Sequence, residues 1–194
     1  ESFYGYKVMG IWQTGDDFDS TNDNVNPGDI KYLDINGDGV VNTDDRTVLG
    51  NSFPDFIWSL GNTISYKGLD LYVFIEGVQG ASMLNNGLID TYFPAGVRRN
   101  RYAEPLLNRW TPENPSNEFP SFVNPSSQGE KRVNSLTVED ASYLRLNTVK
   151  LSYHIPANRG IFSAATINVT GQNLFTITNY SGMDPAINPN GGAN

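Results

Sequence analysis

The sequence contains no cysteine and a single histidine, and acidic residues outnumber basic ones, 21 to 13. The absence of cysteine excludes disulfide bonds and thiolate metal sites. The net charge of −8 argues against nucleic acid as a partner, because phosphate recognition needs clustered lysine and arginine. No apolar run reaches the roughly 18 residues of a membrane-spanning helix, although membrane strands, which alternate, give a far weaker signal.

The residues that are present predict an all-β fold. The 19 glycines and 11 prolines favour many turns and few long helices. Apolar and polar residues alternate along five runs, which predicts five antiparallel strands: 3–13, 56–66, 69–78, 142–155 and 164–175. Several runs have about ten residues, the length that crosses a bilayer as a tilted strand. A soluble β-sandwich with one wet face per sheet would show the same alternation and stays open at this point.

The connections between these runs fall into two classes. Lys67-Gly68 and residues 156–163 form short turns, whereas residues 14–55, 79–141 and 176–194 form long loops. If neighbouring strands are antiparallel, both short turns lie at one rim and all long loops at the other. Short turns opposite long extracellular loops are typical of an outer-membrane barrel.

The stretch DINGDGVVNTDD, residues 34–45, predicts a calcium loop. Oxygen-bearing positions 1, 3, 5, 7, 9 and 12 of a twelve-residue loop, with glycine at position 6, supply the hard ligands that Ca²⁺ prefers. These positions are Asp34, Asn36, Asp38, the Val40 carbonyl, Asn42 and Asp45, with Gly39 at position 6. Aspartate at position 12, where glutamate is usual, makes the loop dockerin-like. An ion-free Asn/Asp/Gly turn is the alternative.

Two short helices are predicted within the long loops. Asn42 or Thr43 could cap a helix over 43–49, and apolar spacing predicts another within 99–110. Aromatic residues of the loops could stack on a ligand: Trp12, Tyr92, Phe93, Trp110, Phe119, Phe122 and Tyr180. Packing within the loops, or an interfacial aromatic girdle near strand ends, is the alternative.

Charged and nucleophilic residues give no catalytic arrangement. Arg98, Arg99 and Arg101 could bind an acidic ligand or a partner protein, but a solvated charged face is the simpler interpretation. His154 has no second histidine or sequence-evident partner, so no role is assigned to it. No nucleophile elbow, carboxylate pair or phosphate loop is present, which argues against an enzyme.

Four blocks of sequence together resemble the C-terminal barrel region of the SusC/RagA-type TonB-dependent outer-membrane transporters. The blocks are residues 28–80, 106–122, 138–156 and 169–185, and the opening run FYGYKVMGIWQ matches the segment that precedes the metal-like loop. The resemblance covers nearly the whole chain in the family's order.

That resemblance implies a fragment of a large, 22-stranded barrel with long extracellular loops. The plug domain and the closing strand would then lie outside residues 1–194. The whole transporter would import oligosaccharides or peptides through the outer membrane of a Gram-negative bacterium, with a SusD/RagB-type lipoprotein as a lid and the TonB complex as the energy source. The alternative is a soluble calcium-stabilised β-sandwich module that binds glycan or protein. A barrel fragment in detergent-free buffer is expected to associate through open strand edges.

Overall fold

The computed structural model describes residues 2–93, 100–121, 131–155 and 164–186. Its strands and helices are β1 (Ser2–Tyr6), β2 (Val8–Ile11), β3 (Ile30–Tyr32), β4 (Arg46–Asn51), β5 (Phe56–Tyr66), β6 (Leu69–Gln79), β7 (Ser82–Leu84), α1 (Asn86–Tyr92), α2 (Ala103–Leu107), β8 (Val138–Asp140), β9 (Tyr143–Ile155) and β10 (Ala165–Thr178). All strand pairs are antiparallel, which confirms the predicted all-β class. Within these ranges, no helix is long and apolar enough to cross a membrane.

The chain forms two compact units. The sheet unit contains Phe53–Ala81, Ala141–Tyr180 and Asp184–Asn194, and the loop unit contains Glu1–Ser52, Ser82–Asp140 and Ser181–Met183. The sheet unit carries the four long strands, and the loop unit carries the six short strands and both helices.

The sheet unit is a single four-stranded sheet in the order β10-β9-β6-β5. Its strands have 11 to 14 residues, close to the runs predicted from alternation. The β5–β6 pairing runs without interruption, whereas β6–β9 and β9–β10 each contain one bulge.

One face of this sheet is apolar from edge to edge. Cross-strand partners share a face, so the register places one row of Ile64, Leu71, Leu151 and Val169 and another of Leu60, Ile75, Leu146 and Phe175 on it. Leu60, Ile64 and Val169 are 56%, 61% and 72% exposed. An apolar face of this extent on an accessible sheet marks a surface that meets a partner or a membrane.

The opposite face is polar. Its rows are Ser65–Asp70–Ser152–Asn168, Thr63–Tyr72–Lys150–Thr170 and Ser59–Glu76–Arg145–Thr176. Arg145 donates to Thr176 Oγ1 at 2.9 Å and forms an ion pair with Asp184. The polar side chains are therefore concentrated on this face, although Ile57, Phe74 and Val78 also lie on it and Asn62 lies on the apolar one.

Both short connections leave the sheet at the same rim. The Lys67-Gly68 turn joins β5 to β6, and the His154 N–H donates to the Gly68 carbonyl at 2.8 Å. Ile155 pairs with Ala165, so the chain leaves β9 and enters β10 beside that turn. The connecting residues 156–163 lie outside the described part of the chain. The predicted placement of both short turns at one rim is confirmed by the strand ends.

The loop unit buries an aromatic core between elements that are far apart in sequence. The buried cluster is Tyr6, Ile11, Ile30, Tyr32, Leu88, Tyr92, Phe93 and Trp110. The edge of Tyr6 packs on Tyr32 with 5.7 Å between ring centroids. The core takes residues from β1, β2, β3 and α1, and the unit also contains the two-stranded pairs β1–β4, β2–β3 and β7–β8. The predicted long loops are therefore in large part folded structure.

The prediction of five long strands is wrong for the described residues, where four are present. Run 3–13 divides into β1, which pairs with β4, and β2, which pairs with β3. Bulges at Phe3/Tyr4 and Val8/Gly10 break its alternation, and Gly10 has φ +149°. The run is therefore interrupted at Lys7, between β1 and β2, and both halves belong to the loop unit.

The helix predictions are corrected in part. Thr43–Asp45 forms a single 3₁₀ turn capped by Asn42, and the chain then continues as β4, because Thr47 and Val48 pair with Gly5 and Tyr4. Within 99–110, the described helix is α2, with only five residues. The helix α1, which Asn85 caps through bonds to Gly87 and Leu88, was not predicted. Short helices are thus present in the loop unit.

Candidate functional site

Two glycines near the middle of the predicted metal loop turn the backbone sharply. Gly37 and Gly39 have φ +77° and +83°, in the left-handed region that favours glycine. Gly39 therefore supplies the sharp turn expected at position 6. A Cβ at Gly39 would lie 2.8 Å from Asn22 Nδ2, the end of an exposed side chain that can move, so conformation is the main restriction at this position.

The loop's side-chain oxygens accept hydrogen bonds from its own backbone in regular order. Asp34 accepts from the N–H groups of Gly37 and Gly39 at 2.7 and 2.8 Å. Asn36 accepts from Asp38, and Asp38 accepts from Val40, at 2.9 and 2.8 Å. Asn42 accepts from the Asp44 N–H at 2.8 Å. These bonds tie four of the predicted ligand side chains to the loop's own backbone.

Asp45 closes the loop from its far end. It is fully buried, and its carboxylate accepts from the N–H groups of Ile35 at 2.8 Å and Asn42 at 2.8 Å. Burial by itself raises the pKa of Asp45, but the N–H donors of Asn42, Ile35 and Asn36 outweigh it and lower that pKa. Because the pKa of Asp45 is lower in the folded state than in the unfolded state, this carboxylate stabilises the loop at pH values above the ordinary pKa range of carboxyl groups. That contribution is lost as the pH falls through the folded pKa.

The chemistry of the loop fits a hard cation. Asp34, Asn36, Asp38, Asn42 and Asp45 provide side-chain oxygens at the expected spacing, and the Val40 carbonyl accepts from the Asn42 amide at 3.3 Å. Among the described residues, no three His, Cys, Asp or Glu side chains gather closely enough to hold a metal ion. The predicted ligand set contains three carboxylates, so ligation would also need the amide and carbonyl oxygens of the loop. The calcium site stays a prediction.

Residues 21–23 are hydrogen-bonded to the loop, a contact that the sequence pattern did not indicate. The Asn22 N–H and the Thr21 hydroxyl both donate to the Gly39 carbonyl, at 2.7 and 3.1 Å. Asp23 accepts from the Val41 N–H at 3.0 Å. The acidic residues before the loop are therefore tied to it by specific bonds. Spacing within the loop alone carries no signal for such a contact.

Three of the predicted ligand-stacking residues lie in the core of the loop unit. Tyr92, Phe93 and Trp110 are 8%, 3% and 6% exposed. Trp110 Nε1 donates to Gln13 Oε1 at 2.9 Å. Burial, aided by nearby glutamates, raises the pKa of Tyr92 to about 12. Their faces are covered, which favours the packing alternative over ligand stacking.

The remaining aromatic and basic candidates are dispersed. Tyr180 is half-buried and stays a predicted ligand contact. Trp12 is buried and stacks on Phe18 with 5.4 Å between ring centroids, and Phe119 packs against the core. Arg101 is half-buried. Residues Phe122, Arg98 and Arg99 lie outside the described part of the chain.

His154 has partners that the sequence did not indicate. Its Nε2 lies 2.7 Å from Asp70 Oδ2, and its Nδ1 lies 3.0 Å from Thr166 Oγ1. The three residues belong to β6, β9 and β10, so they tie adjacent strands on the polar face near the short-turn rim. The imidazole therefore has a structural role in the sheet.

Comparison with known proteins finds relatives over nearly the whole chain. No family model matches it. The chain is similar to TonB-dependent receptors P26 and P3 of Formosa agariphila, with 38% identity over 189 residues and 33% over 193. These matches cover 94% and 96% of the chain but 19% and 18% of the receptors. The chain thus spans about a fifth of the length of these relatives.

Solved structures with the same arrangement are those of a peptide transporter. The RagAB peptide transporter matches with a TM-score of 0.74 and 25% identity, over 95% of this chain and 20% of that one. The RagAB peptide importer in its open-open state matches with a TM-score of 0.68 and 25% identity, over 95% of this chain and 19% of the other.

Proposed function

Because the chain is a homologous segment of the SusC/RagA-type TonB-dependent transporters, we propose that its sheet is part of the barrel wall of an outer-membrane importer. The apolar face would contact lipid and the polar face would line the lumen. The exposed apolar face, continuous across all four strands, is the observation that carries this proposal. Membrane barrels alternate lipid-facing and lumen-facing residues in this way along every strand.

Strand length and aromatic placement support the same assignment. The apolar face of β5 carries Phe56 and Trp58 near the long-loop rim and Tyr66 at the short-turn rim, where Tyr153 of β9 lies close by. At about 3.3 Å per residue, Phe56 and Tyr66 are separated by roughly 33 Å along the strand, which corresponds to roughly 25 Å of membrane depth at a tilt of about 40°. Tilted strands in barrels carry an apolar band about 25 Å tall between two aromatic girdles.

The β-sandwich alternative lacks support from the sheet unit. A sandwich buries one face of each sheet against the other. In the described part of the sheet unit there is one sheet, and every residue of β5 is exposed. The relatives are receptors and importers, which confirms the expectation that the chain is not an enzyme.

The whole transporter would import oligosaccharides or peptides. Peptide is the cargo in the names of the RagAB structures, and oligosaccharides belong to the family that the sequence resembles. A SusD/RagB-type lipoprotein would cover its extracellular mouth, and the TonB complex would supply energy through the N-terminal part of the full-length receptor. The outer membrane of a Gram-negative bacterium is the compartment in which such a barrel works.

Within this importer, the loop at residues 34–45 would bind calcium and stabilise the loop unit. Its six oxygen ligands in register support the proposal, as do the bonds that order Asp34, Asn36 and Asp38 on the loop backbone. The attachment of Asn22 and Asp23 to Gly39 and Val41 would extend that stabilisation to the acidic segment.

The two rims of the sheet provide a test of the proposed orientation. In the full-length receptor with any other cysteines replaced, Gly15→Cys lies in an exposed loop and Lys67→Cys in the exposed short turn. A membrane-impermeant maleimide on intact cells should label Gly15→Cys. It should label Lys67→Cys only after the outer membrane is permeabilised, because short turns face the periplasm. Equal labelling of both positions on intact cells would contradict the orientation.

A further inference from the structure

Two Asn-Gly pairs lie in the described part of the chain, Asn36-Gly37 and Asn86-Gly87. Asparagine before glycine is prone to deamidation, because glycine has no Cβ to hinder its backbone nitrogen from attacking the asparagine side chain. The two pairs share this local chemistry, and both asparagines are exposed. A difference between their reactivities must therefore come from the fold around each pair.

The Asn36-Gly37 pair has the space that the reaction needs. Both residues are exposed and belong to no helix or strand, so no backbone ladder has to break before Asn36 turns toward the Gly37 nitrogen. A Cβ at Gly37 would meet no heavy atom of the described residues within 4 Å beyond its chain neighbours. Water and the closing ring can therefore reach both sides of this peptide bond.

The reacting atoms of Asn36 and Gly37 contact groups that suit the proton transfers. The Asp38 N–H donates to Asn36 Oδ1 at 2.9 Å, which polarises the side-chain carbonyl for attack at Cγ. The Gly37 N–H, whose proton must leave, donates to Asp34 Oδ1 at 2.7 Å. The leaving group, Asn36 Nδ2, donates to Asp38 Oδ2 at 3.0 Å. All three contacts come from the loop itself, so the reaction needs no rearrangement of the surrounding core.

The Asn86-Gly87 pair lies where the fold opposes the same reaction. Asn86 is the first residue of α1, and its backbone must leave the helical conformation before its side chain can close a five-membered ring with the next nitrogen. The Gly87 N–H donates to Asn85 Oδ1 at 3.0 Å as part of the helix cap. A Cβ at Gly87 would lie 2.7 Å from Tyr102 Oη and 2.8 Å from Tyr102 Cε2, so this ring covers the backbone there.

We propose that Asn36 is a site of spontaneous deamidation and that the fold suppresses the same reaction at Asn86. The Gly37 nitrogen bonds to Asn36 Cγ, the Cγ–Nδ2 bond breaks, and the proton of the Gly37 nitrogen leaves with Nδ2 as ammonia. Water then opens the succinimide. Opening at the side-chain carbonyl gives aspartate, and opening at the backbone carbonyl gives isoaspartate.

Either product changes the predicted calcium loop at its position 3. A neutral amide is replaced by a carboxylate, and isoaspartate also adds one methylene group to the backbone between the predicted ligands. The deamidation itself depends on neither calcium nor transport, because it uses only the atoms of the loop and water. Its test can therefore fail or succeed independently of the proposed importer and of the proposed metal site.

Peptide mapping by mass spectrometry of the full-length receptor tests the site. Receptor in detergent, with a chelator present, is incubated in mildly alkaline buffer, and digestion at low pH limits deamidation during the assay. In the folded receptor, the acid form should accumulate at Asn36 at least about tenfold faster than at Asn86, since α1 must open locally before Asn86 can react. In receptor denatured by guanidinium chloride, the two pairs should react at similar rates.

Two outcomes of this mapping would overturn the proposal. A smaller ratio in the folded receptor, or no acid form at Asn36, would mean that the hydrogen bonds of the loop protect Asn36 as well as the helix protects Asn86. A tenfold ratio that persists in the denatured receptor would mean that the neighbouring sequence, and not the fold, separates the two pairs.

Asn36→Gln and Asn86→Gln are matched variants that assign the reaction to one residue. Glutamine keeps the amide, but its extra methylene group requires a six-membered ring that closes far more slowly. Asn36→Gln should remove the acid form from its peptide, and Asn86→Gln should leave the rate at Asn36 unaltered. Circular dichroism checks that each variant is folded. If Asn36→Gln misfolds, fragment spectra of the unaltered receptor decide, since a mass gain located at any other residue of that peptide contradicts the site.

Discussion

Leu60→Arg should destabilise the receptor in a bilayer by about 2–4 kcal/mol, whereas Ser59→Arg should cost at most about 1 kcal/mol. The two positions are adjacent on β5, and both are exposed on the sheet. Leu60 belongs to the apolar row with Ile75, Leu146 and Phe175. An arginine there would place its charge in hydrocarbon, where no group can pair with it.

Ser59 is a matched control because it differs only in the face it occupies. It lies across from Glu76 in a row that continues to Arg145 and Thr176. An arginine at this position meets a carboxylate and lumen water. The measurement is the free energy of folding into phospholipid vesicles by urea titration of both variants and the unaltered receptor. Equal destabilisation by the two substitutions would mean that the faces do not meet different environments.

Calcium should stabilise the loop unit, and Asp38→Ala should remove that stabilisation. Calcium sites of extracellular modules have Kd values of about 10⁻⁴–10⁻³ M, so about 10 mM Ca²⁺ would add about 1.4–2.7 kcal/mol. Asp38 provides the predicted ligand at position 5, and its carboxylate also accepts from the Val40 N–H and from Asn36 Nδ2. The diagnostic is therefore loss of the calcium dependence, not the basal stability of the variant.

Asp44→Ala is the control for the calcium experiment. Asp44 is exposed in the same loop, and only its backbone N–H is used, in a bond to Asn42. Thermal unfolding of chelator-treated protein, with and without added calcium, measures the shift for each variant. The unaltered protein and Asp44→Ala should show the shift, and Asp38→Ala should not. A calcium shift that survives in Asp38→Ala would place the ion elsewhere.

The sheet unit was predictable from sequence because a single physical constraint acts on every residue of its strands. With one face apolar and the other polar, each position from Phe56 to Tyr66 must keep the alternation, so the predicted and observed bounds of β5 agree. The short Lys67-Gly68 turn then fixes the antiparallel order of β5 and β6, with φ +49° and +84° at the two turn residues.

The loop unit was predicted less well because its core depends on contacts between distant residues. Tyr6, Tyr92 and Trp110 meet in one cluster although no local pattern connects them. An aromatic residue in a loop has the same sequence signal whether it packs into the core or contacts a ligand. Run 3–13 divides into β1, which pairs with β4, and β2, which pairs with β3. This division likewise depends on contacts with segments that are distant in sequence.

The predicted calcium loop, too, was predictable from sequence in part only. The ligand order of residues 34–45 was visible in the sequence, since ligation by alternate residues of a tight loop is a local property. The bonds from Thr21 to Gly39 and from Val41 to Asp23 were not visible, because each joins residues 18 positions apart that come together only in the folded unit. Asp45 shows both aspects: its loop position was predicted, but its burial beneath three backbone N–H groups was not.

Cysteine labelling along β5 tests most directly whether the sheet separates lipid from water. The segment has no cysteine of its own, so single substitutions from residue 57 to residue 65 can be compared without background from it. In the full-length receptor in membranes, a water-soluble maleimide should label Ser59→Cys, Thr63→Cys and Ser65→Cys. Leu60→Cys and Ile64→Cys should resist it and react with a lipid-soluble maleimide. Labelling that rises smoothly along the strand, or that favours Leu60 and Ile64 from the water phase, would contradict the account.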